Sequence, residues 1–510
     1  MKKTFLKILH IISLVIITLF LVTAVYLKFK FSSINFEEIL FLMRGGTEDS
    51  DFTALYIALK LCVPIGLFII LLGYTIYYDI LFGKKKIITK KGKQLYPFNI
   101  STKGKIISTV VLFIISTGLL CWTSGLINYV IYMNSSSKFI EKNYVNPKDT
   151  NITFEKKRNL IFIAVESLET SLFTKEQGGY WNYEVMPELY DLLNEDDVVT
   201  FHNKDKSQGI NMLQGTSWTT AALVANTSGL PLKIRIQRNQ YHSENFMNGT
   251  YGLGDMLKDQ GYHNELISGA KVSFGGLKEM YTKHGDFDII DVRSLKDYGY
   301  TMDKSDKGKW GFNDNYLFEI AKDRVDKLAK EKQPFHLELV TIDTHFVDGF
   351  VGDYSETKYK EQYENAYATT SRLIYDFVNY VRSKDYYKNT TIVIVGDHLS
   401  MQNDFFDKRD AKDRYVYEAI INPAVKTEYD QNRVVTSLDM YPTMVAAIGG
   451  KIEGEKLGLG VNLFSGEKTL AEKYGVKKLN SELKKKSDFY NNQLLNDDYL
   501  KKYEIKKGSK

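Results

Sequence analysis

The chain has 510 residues, 44% of them hydrophobic and 25% charged, with a formal net charge of +5. That length and balance exclude a disordered chain and allow one large core or several domains. The net charge is small and the lysines gather beside the apolar segments and in the C-terminal tail, which argues against nucleic acid as a partner.

Three apolar segments, residues 5–27, 52–78 and 106–133, each supply the roughly 20 residues needed to cross a hydrocarbon core. The first is longer than the apolar stretch of a secretory signal and no A-x-A site follows it, so it is expected to stay as a helix. Lys60, near the start of the second, is expected to snorkel to the membrane surface. The loop between the second and third segments carries Lys84, Lys85, Lys86, Lys90, Lys91, Lys93, Lys103 and Lys105. The loop before it has Lys28, Lys30 and Arg44 against five acids. The positive-inside rule then places the lysine loop and the N-terminus in the cytoplasm and everything after the third segment on the outer face. Both cysteines, Cys62 and Cys121, fall within these segments, so the outer domain is expected to hold no disulfide and no thiolate chemistry.

Residues 134–158 are polar and read as a linker, 159–464 as the outer domain and 465–510 as a Lys-rich tail. Within the domain, 160–165, 198–202, 263–267, 335–342 and 391–395 have the composition of strands. Between them, 186–193, 219–225, 315–328, 364–382 and 437–448 have helical periodicity. The alternation predicts an α/β domain with a mainly parallel sheet and a ligand site at the carboxyl ends of its strands. In the tail, "KKLNSELKKKSDF" reads as a solvated helix able to meet anionic lipid headgroups.

Three predicted strands end on chemistry. "NLIFIAVESLET" runs into Glu166, "HLELVTIDTH" into Asp343 and His345, and "TTIVIVGDH" into Asp397 and His398. One acid after a strand is commonly the N-cap of the next helix. Three such ends, two of them with histidine from a total of eight, point instead to a divalent cation of the manganese, zinc or magnesium kind. In "LQGTSWTTAALVANTSGLPL", Thr216 is expected at a helix N-terminus, where free N–H groups attract anions. It is either a plain N-cap or, beside a metal, an activated nucleophile.

Together "NLIFIAVESLE", "GTSWTTAALVANTSGLPL", "WGFNDN", "TIDTHFVDGF" and "GDHLSMQND" resemble, in order, the membrane-anchored, sulfatase-like phosphoglycerol transferases of the alkaline phosphatase superfamily. That group includes the lipoteichoic acid synthases, and its glucan-modifying branch is the more similar. A looser match through "SLDMYPTMVAAIGG" and "LGLGVNLF" extends to about residue 464.

The resemblance implies an alkaline phosphatase/sulfatase-like domain behind three transmembrane helices. It implies Glu166, Thr216, Asp397 and His398 as ligands of manganese, with magnesium or zinc as alternatives, and Thr216 as the nucleophile. His345 would contact the phosphoglycerol group and take part in catalysis. Trp310, Asp314 and Asp348, the last within the "DTHxxDGF" pattern, would bind substrate. Lipoteichoic acid synthases place an arginine near the site, and the corresponding stretch here, 271–283, has none; Lys278 is the expected replacement.

The implied reaction moves phosphoglycerol from phosphatidylglycerol to a glycan or a growing glycerophosphate chain at a bacterial cell membrane, releasing diacylglycerol. A phosphoethanolamine transferase, a hydrolase of the same superfamily and an inactive membrane scaffold are the rival readings. A true sulfatase is disfavoured, because "TSWTT" lacks the C/S-x-P-x-R context.

Overall fold

The computed structural model describes residues 2–30, 102–201, 209–234 and 246–495, with the short stretches 36–37, 39–40, 66–70, 87–88 and 94–95. The chain divides into two units, residues 1–39 with 51–131, and 40–50 with 132–510.

The first unit contains helix α1 (Lys2–Lys30) and helix α2 (Thr102–Thr123). Among the described residues two stretches, Ile8–Lys28 and Lys103–Thr123, are long and apolar enough to cross a membrane. The expectation of three such helices is therefore matched by two, since the 52–78 segment lies outside the described residues apart from 66–70. The third expected segment is not one helix. Gly125 adopts φ 74°, a left-handed conformation that ends α2, and a separate helix α3 (Leu126–Met133) follows.

In the second unit a seven-stranded sheet is built from β1 (Asn159–Val165), β2 (Val198–Val199), β3 (His263–Ser268), β4 (Asp288–Ile290), β5 (Phe335–Val340), β6 (Thr390–Gly396) and β7 (Glu418–Ile421). The strand order is β2-β7-β6-β1-β5-β3-β4. The run from β6 through β4 is parallel, and β7 is antiparallel to both β6 and β2, so the sheet is mixed. β4 and β7 are too short, and too acidic at their starts, to be recognised from composition. Conversely the 335–342 strand stops at Val340, and His202 in the 198–202 segment lies outside the described residues.

β1 is buried along its whole length. Leu160, Phe162 and Ala164 enter one apolar cluster and Ile161, Ile163 and Val165 the other, one on each side of the sheet. Burial of both faces explains why this strand reads as an unbroken apolar run and not as an alternation. Helix α4 (Thr219–Ser228) packs on the first side, while α5 (Asp314–Leu328) and α6 (Gln362–Arg382) pack on the second.

The segments expected to flank the domain are part of it. In the 134–158 "linker", Phe139 and Ile140 are buried, and Ile152–Phe154 pairs with Gly450–Ile452. In the "tail", helix α7 (Val476–Lys484) buries Leu479 and Leu483, so it is not a solvated helix. Lys233 Nζ donates to Leu483 O at 2.7 Å, and the Tyr490 hydroxyl donates to Pro231 O at 2.6 Å. Polar composition concealed a few well-spaced apolar anchors in both stretches.

Candidate active site

The register of the central strands sets the site. Ala164 of β1 pairs with Val340 of β5 and Val395 of β6, and Val165 pairs with Gly396. The three strands therefore end level, and the residues just beyond them meet at one edge, as the topology of an open α/β sheet requires. Gly396 is needed for this approach, since a Cβ there would lie 2.0 Å from Leu168 O.

Glu166, Asp397 and His398 are brought together at that edge, each almost fully buried, with ligand atoms within 4.8 Å of one another. His398 Nε2 lies 3.6 Å from Glu166 Oε1 and 3.5 Å from Asp397 Oδ2. Its Nδ1 sits 2.9 Å from the Leu399 carbonyl, which can only accept, so that nitrogen carries the proton. In the neutral ring Nε2 then turns a lone pair toward two carboxylates, and Asp397 Oδ2 is buried with no hydrogen-bond partner. A divalent cation between them resolves both features, and two carboxylates with one imidazole suit manganese, zinc or magnesium. Burial, and then Glu166, push the Asp397 carboxyl up to about 7; a cation in the site would reverse that.

The backbone around Glu166 is tied to the cluster. Ser167 takes φ 51°, uncommon for a residue with a side chain. That turn aims its N–H at Asp397 Oδ1 (2.7 Å) and its hydroxyl at Glu166 Oε1 (2.6 Å). Glu169, the second acid of the same motif, is not part of the cluster. It is buried and paired with Arg414 through both carboxylate oxygens.

The threonines separate by exposure and position. Thr216, expected at the helix start, is fully buried in the turn before it, where its hydroxyl donates to Leu213 O (3.0 Å) and accepts from Leu213 N (3.1 Å). Helix α4 begins at Thr219, with Trp218 as an N-cap that provides no side-chain cap. The half-buried Thr219 hydroxyl reaches Glu166 Oε2 at 3.4 Å. "TSWTT" offers threonines at both positions, and only the helix start distinguishes them.

His345 stands beside the cluster, its ring between Trp310 (4.6 Å) and Phe346 (4.8 Å), with Nδ1 2.6 Å from Phe346 O. Burial pushes its pKa down to about 4, aided by His398, so the ring is neutral near pH 7 with Nε2 as an acceptor. Lys309 Nζ lies 4.6 Å above the Trp310 ring and its charge acts on His345. Lys278 is exposed on the helix Leu277–Lys283, and its backbone N–H bonds Val272 O. The basic group at the Trp310–His345 stack is thus Lys309, adjacent in "KGKWGF".

Asp314 and Asp348, expected to bind substrate, are engaged within the protein. The Asp314 carboxylate accepts from Ile342 N (2.8 Å) and Asp343 N (3.1 Å), and Asp348 pairs with Gln402. Two fully buried tyrosines of α6, unnoticed in the sequence, tie the strand-end loops together. Tyr363 OH donates to Thr344 O (2.9 Å) and meets Ser400 Oγ (2.7 Å), and Tyr367 OH donates to Ser167 O (3.0 Å).

A second set, His263, Glu265 and Asp288, lies at the opposite edge of the sheet. Arg324 occupies Glu265, and Glu331 and Asp288 occupy the two nitrogens of His263, making an ion-pair network.

The sulfatase family model matches residues 158–450, from the start of β1 past the last site residue. The chain belongs to the sulfatase family. Within it, phosphoglycerol transferase I of Escherichia fergusonii is 29% identical over 324 residues, 61% of this chain and 39% of the relative. That of Citrobacter koseri is 31% identical over 266 residues, 50% of this chain and 33% of the relative. The chain spans about two-fifths of the length of the curated relatives it matches. Among solved structures, the chain is similar to the lipoteichoic acid synthase LtaP from Listeria monocytogenes, at 16% identity and TM-score 0.49, covering 64% of this chain and 81% of that one. The Streptococcus pyogenes phosphoglycerol transferase GacH is 15% identical with TM-score 0.41, covering 72% of this chain and 91% of that one.

Proposed function

We propose that this sulfatase-family chain is a phosphotransferase of the bacterial cell membrane. It moves phosphoglycerol from phosphatidylglycerol to a surface or periplasmic glycan, or to a growing glycerophosphate chain, through a phosphothreonine. The observation that carries this reading is the Thr219 hydroxyl, at the first residue of an uncapped helix and 3.4 Å from a buried carboxylate of the metal-ligand cluster. The names of the matched relatives, phosphoglycerol transferase I, supply the transferred group.

Manganese, or magnesium or zinc, held by Glu166, Asp397 and His398 with the Thr219 hydroxyl, would supply Lewis acidity to that hydroxyl and to a phosphoryl oxygen. Thr219 Oγ1 forms a bond to phosphorus as the bond to the diacylglycerol oxygen breaks, and that oxygen leaves with a proton as diacylglycerol. The free N–H groups at the start of α4 face the developing negative charge. In the second half-reaction an acceptor hydroxyl bonds to phosphorus and the Thr219 oxygen leaves and is reprotonated. His345 Nε2, an acceptor in the neutral ring, takes the proton of the incoming hydroxyl. Trp310 and Lys309 frame the phosphoglycerol group beside it, with Lys309 in place of the arginine of the lipoteichoic acid synthases.

The test is diacylglycerol release from labelled phosphatidylglycerol by the full chain, with and without manganese, for wild type, Thr219→Ala and Thr216→Ala. Metal-dependent release that survives in Thr216→Ala and vanishes in Thr219→Ala is the expected result. Release that persists in Thr219→Ala removes that residue as nucleophile, and release only from phosphatidylethanolamine makes the chain a phosphoethanolamine transferase.

A further inference from the structure

Helix α7 is amphipathic in a specific way: Leu479 and Leu483 are buried at 0% and 1% exposure, whereas Lys477 and Lys478 are exposed. Lys484, Lys485 and Lys486 continue the strip at its end. Residues 477–489 contain five lysines and two acids, Glu482 and Asp488. One carboxylate oxygen of Glu482 serves both Lys478 (2.9 Å) and Lys485 (2.8 Å), while Asp488 pairs with Lys486 (2.7 Å). The acids therefore leave an excess of positive charge on the strip.

The position of the strip is fixed by backbone bonds. Lys486 N donates to Ser135 O at 2.8 Å, and Ser137 N donates to Lys486 O at 2.9 Å. Ser137 Oγ donates to Glu482 Oε2 at 2.6 Å, and Lys484 Nζ lies 5.4 Å from the centre of the Tyr132 ring. Tyr132 is the penultimate residue of α3, an apolar helix whose Ile127, Val130 and Ile131 are 44%, 47% and 56% exposed. Exposed apolar side chains ending on a tyrosine mark a helix leaving a membrane, with the aromatic ring at headgroup depth. Lys484 and Lys486 thus stand beside Tyr132, which directly follows the apolar run 126–131 in sequence, and Lys477, Lys478 and Lys485 belong to the same strip.

We propose that Lys477, Lys478, Lys484, Lys485 and Lys486 form a docking strip for the headgroups of anionic phospholipid at the end of α3. Charge complementarity selects this occupant, because clustered basic residues next to a membrane helix bind anionic lipid through headgroup charge. The consequence for catalysis rests on the function proposed above: phosphatidylglycerol is itself anionic, so the strip enriches donor lipid beside the catalytic domain.

The experiment extracts the full chain from membranes into mild detergent, adds phosphatidylglycerol, phosphatidylserine and phosphatidylcholine in equal amounts, and counts retained lipids by native mass spectrometry. Wild type retains both anionic lipids over phosphatidylcholine, and high salt abolishes the preference. The triple variant Lys477→Gln/Lys478→Gln/Lys484→Gln loses about fivefold in preference per lysine removed. The corresponding triple arginine variant, which keeps the charge and controls for folding, retains it. Equal preference in the glutamine variant and wild type, or no salt dependence in wild type, overturns the proposal. Retention of phosphatidylglycerol alone, unchanged by the variants, assigns the lipid to the catalytic groove and also overturns it. Preference shown instead for an added acidic glycan polymer replaces lipid as the occupant and overturns it likewise. Diacylglycerol release is read separately, so a chain that binds anionic lipid and cleaves none refutes the proposed reaction and leaves the strip standing.

Discussion

Asp348 and Gln402 hold each other twice: Asp348 N donates to Gln402 Oε1 at 2.7 Å, and Gln402 Nε2 donates to Asp348 Oδ1 at 2.6 Å. Asp348 sits at φ 61° in the loop that follows His345, and Gln402 lies four residues beyond His398. The pair joins the loops of the two histidines. Gln402→Ala is expected to slow transfer by on the order of tenfold, because loosened geometry at a reacting group is costly. Its effect on folding is about 1 kcal/mol for each of the two part-buried hydrogen bonds lost. Diacylglycerol release rates and denaturant titrations of the same variant separate the two effects.

Metal binding is expected to stabilise the fold measurably, since an ion that binds the native state at 100 times its Kd adds about 2.7 kcal/mol. Manganese should raise the melting temperature of wild type and chelator should lower it again. In Asp397→Ala, which removes a buried carboxylate of the cluster, the melting temperature becomes indifferent to both. A metal-induced shift that survives in Asp397→Ala places the ion elsewhere.

Glu338, buried on β5, bonds Tyr281 OH through Oε1, and its Oε2 is 3.8 Å from His336 Nε2. Burial pushes this carboxyl up to about 8 and the imidazole down to about 3, so both are neutral near pH 7. Between the ordinary glutamate value near 4.5 and about 8, the folded state holds a proton that the unfolded state has released. Stability therefore falls as pH rises through that window, by about 1.4 kcal/mol per pH unit at most from this one group. Glu338→Gln keeps an acceptor for Tyr281 and removes the titration. Below about pH 6.5 the buried His336, which the unfolded chain protonates, opposes this slope, so denaturation midpoints are expected to be flatter in the variant than in wild type only between about pH 6.5 and 8.

Arg414 and Glu169 form a buried, bidentate ion pair beneath the site. Arg414→Ala leaves the Glu169 carboxylate without its cation, at a cost of about 3–5 kcal/mol. Arg414→Lys restores charge without the planar two-point contact and is expected to recover only part of it. Equilibrium denaturation of both variants measures the difference.

The strand-end cluster was legible because its residues sit directly after apolar runs: Glu166 follows β1, and Asp397 then His398 follow β6. The central strands were legible for the same reason. What the sequence concealed has two physical sources. Thr216 and Thr219 share a motif, and the choice between them depends on where α4 begins, a boundary that local composition leaves uncertain by a few residues. Asp314 and Asp348 resemble site acids, yet each is taken up by partners distant in sequence, the backbone of Ile342 and Asp343 in one case and Gln402 in the other. The antiparallel β7 was invisible because it is short and opens on Glu418, whose carboxylate accepts from Phe201 N inside the domain.

The seven consecutive pairings of β1 with β6 have a consequence for how this protein would fail on heating. Amides in the middle of a doubly covered parallel sheet exchange with solvent only when the whole domain opens. The cluster of Glu166, Asp397 and His398 is attached to those strands without a hinge, so its geometry survives as long as the sheet does. Loss of catalysis and loss of slow-exchanging amides in β1 and β6 then become one event, with no active-site melting at lower temperature to separate them.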